Sequence, residues 1–113
     1  MKEKRIRVVV FKMGELEGED CLIDNTLDAM QKIVGGNIEA VGIGPKDLDV
    51  FCNEEGLLVG LENCWVMKVN NRFFPLHGNL FVSRLNPKTG DQMSLDDKDV
   101  SLVMDMFLPV LGA

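Results

Sequence analysis

A chain of 113 residues, 46% hydrophobic and 27% charged, fits one domain built on a single core. No run approaches the ~20 apolar residues of a membrane span, which excludes that class of partner. The net charge of −6 repels phosphate backbones and excludes duplex nucleic acid as a general partner.

The start, "MKEKRIRVVVF", loosely imitates a secretory signal, but its apolar run covers only Val8 to Phe11 and no small-residue cleavage site follows. A cytosolic protein is expected. "RIRVVVFK" reads as a strand with Ile6, Val8 and Val10 on one face; Val9 and Phe11 make the other face apolar too, as in a central strand. "MGELEGED" reads as an acidic turn and "CLID" as a short returning strand. Asn25 or Thr26 then caps a helix whose face is Leu27, Met30, Ile33 and Val34, with Asp28 in its first turn. Gly35 and Gly36 supply its left-handed stop.

"NIEAVGI" predicts a strand and "GPKDLD" breaks it. "VFC" and "LLVGL" flank Asn53 to Gly56, which predicts a hairpin with Gly56 at positive φ. "WVMKV" and "RFFPLHG" flank Asn70-Asn71, a turn pair that tolerates positive φ. In "NLFVSRL", Leu80, Val82 and Arg84 share one face and Phe81, Ser83 and Leu85 the other. "NPKTGD" is a turn. The last segment predicts a helix with Ser94 as N-cap, Asp97 in the capping-box place, and Val100, Val103, Met104 and Phe107 facing inward. Pro109 ends it at Leu108. The expected architecture is a single α+β domain over residues 1–113: a small, mostly antiparallel sheet of about five to six strands covered by two helices.

Cys21, Cys52 and Cys64 are odd in number and form no CxxC pair; even with His77 their spacing matches no common zinc pattern. They read as buried free thiols, and neither metal nor cofactor is implied. Two acidic runs stand out: Glu15, Glu17, Glu19, Asp20, Asp24 and Asp28, then Asp91, Asp96, Asp97, Asp99 and Asp105. Solvated loops and helix N-termini account for them better than mimicry of nucleic acid, which uses denser charge.

Catalysis is not expected. The single histidine, His77, has no nucleophile at a telling spacing, Glu54 and Glu55 diverge in a strand, and "GIGP" is too short for a phosphate loop. Binding chemistry is richer. Trp65 lies near Asn63, Lys68, Asn70, Asn71 and Arg72, which combines a stacking ring with amide and cationic donors; His77 and Arg84 complete the candidate set. Stacking of a base on such a ring contributes ~1–3 kcal/mol. Phe73 and Phe74 read instead as hairpin core residues. Seven methionines, with Met106, Leu108 and Leu111 off the inward stripe of the last helix, point to an apolar strip and a homo-oligomer.

"NTLDAMQKIVGGNIEAV", "CNEEGLLVGLENC" and "HGNLFVSRLNPKTGDQMSLDDKDV" resemble, in order and spacing, a family of small uncharacterised proteins of bacteriophages and bacterial mobile elements. The shared pattern covers about residues 20–103: a helix ending in a double glycine before a strand, an acidic-tipped "NEEG" hairpin, "GL" with an asparagine two residues on, a "GN" strand and an "SL" helix start. "CWVMKVNNRFF" departs from it in being unusually aromatic and apolar, so a function placed there is particular to this branch. The resemblance implies an accessory protein acting in a bacterial host cytoplasm. With the Trp65–Arg72 chemistry, the expected function is non-enzymatic sequestration of a small host signalling molecule, a cyclic nucleotide of antiviral defence. The alternative is an inhibitor that binds a host protein through the acidic surface.

Overall fold

The computed structural model describes residues 3–42, 47–56 and 63–110, with Asn63 and Cys64 described by their backbone alone. In chain order the elements are β1 (Arg5–Phe11), β2 (Glu19–Asp24), α1 (Leu27–Val34), β3 (Ile38–Gly42), β4 (Leu48–Asn53), β5 (Asn63–Val69), β6 (Arg72–His77), β7 (Leu80–Leu85), β8 (Gln92–Met93), α2 (Asp97–Met106) and β9 (Phe107–Pro109). The protein is α+β with two helices and antiparallel pairing throughout the described ladders. None of the described helices is long and apolar enough to cross a membrane.

There are two sheets rather than the one expected. The larger follows the order β2-β1-β7-β4-β3, with β8 pairing β7; the smaller follows β6-β5-β9. Alternation along β1 explains why a second sheet is needed. Ile6, Val8 and Val10 pack on one side with Met30, Val34, Phe51 and Phe81, where α1 covers them. Val9 and Phe11 pack on the other side with Leu48, Val50, Leu80 and Val82, and there α2 and the smaller sheet supply Val103, Trp65, Met67 and Phe107. A sheet apolar on both faces needs cover on both, and a helix of ten residues spans too little of it alone. β1 is interior, as its two apolar faces imply, and β7 holds the middle.

Local chemistry sets the element ends. Thr26 caps α1 by accepting the Ala29 N–H, and Gly35 ends it at φ 77°. Asn70 and Asn71 turn the β5–β6 hairpin at φ 51° and 62°. Three expectations change. Asp96, not Ser94, caps α2, with Asp99 closing the capping box; Ser94 instead accepts the Arg7 N–H and donates to Glu3. The helix stops at Met106, because Phe107 to Pro109 go extended and pair with the free edge of β5. Gly56 does not take positive φ; it is glycine because a Cβ there would stand 3.1 Å from the His77 Cβ. Of the hairpin expected around Asn53–Gly56, the first arm is β4, paired with β3 and β7, and the "LLVGL" arm lies outside the described residues.

Candidate functional site

The side chains proposed from sequence fall into separate places. Trp65 is 1% exposed. Its ring meets Phe11 edge-on at 4.8 Å between centroids, and its indole N–H donates to the Lys12 carbonyl at 3.1 Å. A cleft of about 360 Å³ beneath the β1–β2 connection counts Trp65 among its lining residues, with Phe11, Gly18 and Phe107. At that exposure, however, the ring offers no face to a stacking partner. The expected reachable indole is therefore a core residue, held there because a large apolar ring with its one donor satisfied gains most from burial.

Arg84 is also spent. Its Nε donates to Asp99 Oδ2 at 3.0 Å and its Nη2 to Oδ1 at 2.7 Å, while Asp96 lies 4.0 Å away. Burial works to raise the Asp99 carboxyl, but the Arg84 guanidinium and the Asp96 backbone N–H hold it below its ordinary range. The arginine thus serves the docking of α2 through its Nε and Nη2. Asn70 forms the hairpin turn, and His77 is half-buried where its backbone and Cβ abut Gly56. For Asn63 only the backbone, paired with His77, is described.

Lys68 and Arg72 remain, both exposed on the β5–β6 hairpin. Lys68 pairs with Phe73 and Arg72 with Val69, so the two cations lie on opposite faces of the smaller sheet. The inner face, Trp65 and Met67, is packed on the core. The outer face carries Val66, Lys68, Phe73, Pro75 and Leu108, brought side by side by the pairs Lys68–Phe73, Val66–Pro75 and Val66–Leu108. Phe73 is 59% exposed and Leu108 50% exposed. The solvent face of this short sheet thus bears an aromatic, a proline and two aliphatics, with one cation among them.

Sequence reasoning placed both Phe73 and Phe74 in the core and so missed this face; Phe74, on the other face, is also 42% exposed. The signal was present, since consecutive residues of a strand face opposite ways and Phe73 and Phe74 cannot both point inward. Leu108 was singled out as lying off the inward stripe, and it is exposed; Met106, singled out with it, is buried, and Leu111 lies outside the described residues.

The acidic runs are largely answered within the chain. Arg7 holds Asp20 with two hydrogen bonds, at 2.9 and 2.8 Å, and reaches Asp97 at 2.6 Å. The Asp20 carboxyl is lowered by that hydrogen bonding, and the guanidinium is raised by it. Asp24 meets Arg5, Glu19 meets Lys12, and Asp28 meets Lys32. The thiols of Cys21 and Cys52 are pushed up by burial, away from the thiolate a nucleophile requires.

No curated protein and no solved structure matches the chain. A family model does, over residues 6–108, which takes in every strand and both helices described above from Ile6 onward and all but the last residue of β9. The chain belongs to the family known as the domain of unknown function DUF3846.

Proposed function

We propose that this is a non-enzymatic binding protein of bacteriophages and mobile elements that blocks a host protein by docking on it through the outer face of the smaller sheet. The observation that carries the reading is the solvent-facing row Val66, Phe73, Pro75 and Leu108 on a sheet whose other face packs Trp65, Met67 and Phe107 on the core. An aromatic anchor within an apolar patch, with a charge at its edge, is the composition of an interface centre. The acidic surface is the weaker candidate for this task, because Asp20 and Asp99, its most firmly held carboxylates, already have cationic partners.

Site-specific photo-crosslinking from position 73 in bacterial cells tests the proposal, with position 27 on the far helix as the exposed control. The expected result is an adduct with one host protein from position 73 and none from position 27. It should be lost on Leu108→Ser and persist at high salt, since apolar contact is little screened. Adducts only with other copies of this chain would make the face a homo-oligomer seam and overturn the blocking role. Equal labelling from both positions would overturn the surface itself.

A second reading, sequestration of a small signalling molecule such as a cyclic nucleotide of antiviral defence, is favoured by one pairing. The exposed Phe73 ring stands directly across the ladder from Lys68, which offers the stacking and the charge once expected of Trp65 and Arg72. Thermal shift against a panel of cyclic di- and trinucleotides separates the two, since only this reading expects a shift that Phe73→Ser removes.

A further inference from the structure

On the opposite side of the molecule, where α1 leaves the β1–β2 edge of the larger sheet, lies a cleft of about 370 Å³. Its floor is apolar, formed by Val10, Ile23 and Ile33, and its walls carry Lys12, Lys32, Asn79 and the Cys21 thiol, with Glu19 as the one acidic lining residue. It thus gathers two ammonium groups at one mouth of a chain of net charge −6, each facing one carboxylate, Glu19 for Lys12 and Asp28 for Lys32.

Neither lysine is committed. Lys32 pairs with Asp28 one turn away at 3.1 Å, and both side chains are more than three-quarters exposed. Lys12 reaches Glu19 only at 3.6 Å, also in solvent. Exposed pairs of this kind hold their partners by little and yield to a better anion. The backbone that carries Lys12, by contrast, is fixed from two sides. The Trp65 indole donates to the Lys12 carbonyl, and the Met13 N–H donates to Asn79 Oδ1 at 2.7 Å. That second bond also sets the orientation of the Asn79 carboxamide at the cleft. A braced main chain with mobile cationic ends over an apolar floor favours an anion that has an apolar body.

We infer that this cleft is a binding site for a small organophosphate of mononucleotide size, its phosphate between Lys12 and Lys32 and its ring system against Val10, Ile23 and Ile33. A doubly charged phosphate matches two point-charge ammoniums better than a single carboxylate does. The volume lies near the lower end of small-molecule sites, which run from ~300 to ~1,000 Å³, so a mononucleotide suits it and a dinucleotide does not. The site shares no residue with the outer sheet face and stands whether or not docking there is correct.

The test is an amide chemical-shift titration of the full chain with adenosine 5′-monophosphate, run beside adenosine and inorganic phosphate. The expected result is saturable shifts at Cys21, Ile23, Ile33 and Asn79 with the monophosphate, and much weaker binding of either half alone. Lys12→Met and Lys32→Met should each weaken binding roughly tenfold, the effect of losing one charge-assisted contact, while Lys32→Arg should retain it. Both lysines are exposed, so an unchanged spectrum away from the cleft confirms that the variants are folded. Equal binding of adenosine, equal binding of inorganic phosphate, no shift at millimolar nucleotide, or indifference to both methionine variants would each overturn the assignment.

Discussion

Asp99 is a carboxylate that water hardly reaches, at 1% side-chain exposure, and Arg84 answers it with three hydrogen-bond contacts. Removing the cation leaves a buried charge without its partner, so Arg84→Met should cost about 3–5 kcal/mol in chemical unfolding, while Arg5→Met at the exposed Arg5–Asp24 pair should cost little. Asp20 and Asp99 are both held below the ordinary carboxyl range. A depressed carboxyl contributes stability in full above its unfolded value of ~3.9, and loses it as pH falls through the lower folded value. Stability should therefore drop below about pH 4, and the drop should be shallower in the Arg84 variant, as an acid titration followed by circular dichroism would read. Neither this pair nor the burial of Trp65 was legible in the sequence. Arg84 and Asp99 meet only once α2 docks, and the acceptor of the indole N–H, the Lys12 carbonyl, lies 53 residues away. Side chains with a polar tip read as ligand-facing until a distant partner claims the tip.

Among the elements, the "NEEG" turn shows how a polar tip can be absorbed by structure. Asn53 Oδ1 accepts the Glu55 N–H at 2.8 Å, shaping the turn, while its Nδ2 donates to the Val34 carbonyl at 3.2 Å at the end of α1. One side chain thus ties a turn to a helix end that otherwise leaves carbonyls unpaired. Asn53→Ala should cost about 1–2 kcal/mol and speed amide exchange at Glu55, whereas Glu54→Ala, on the exposed tip, should change little. Elements with local signals were legible from sequence. The cap and double glycine of α1 fall where expected, as does the Asn70-Asn71 turn. The end of α2 was not legible, because Phe107 to Pro109 have helix-compatible apolar spacing until β5 offers them a ladder. Pro75 could have warned that β6 is an edge strand, since it gives no donor to a second neighbour.

At the scale of the whole molecule, the larger sheet is the shared wall of two apolar clusters. One faces α1 and the other faces α2 and the smaller sheet. Residues of β1, β4 and β7 contribute to both clusters, so neither can melt while the other stays packed. Thermal unfolding should be a single transition, with aromatic circular dichroism from Trp65 and backbone signal lost together; two separated steps would contradict the common wall. Fold class was within reach of the sequence because strand alternation reports two-sided burial directly. The division into two sheets was not, since it depends on which apolar faces find each other across long separations.

The middle place of β7 bears on how the protein is made. Its two neighbours, β1 and β4, are synthesised first, and each leaves the ribosome with one edge open until residues 80–85 arrive to join them. Until then the pairings open to the nascent chain are two separate ribbons, β1 with β2 and β3 with β4, each with an apolar strand at an unpaired edge. A chain ending before Leu85 would leave both ribbons with an open edge and the larger sheet without its middle strand.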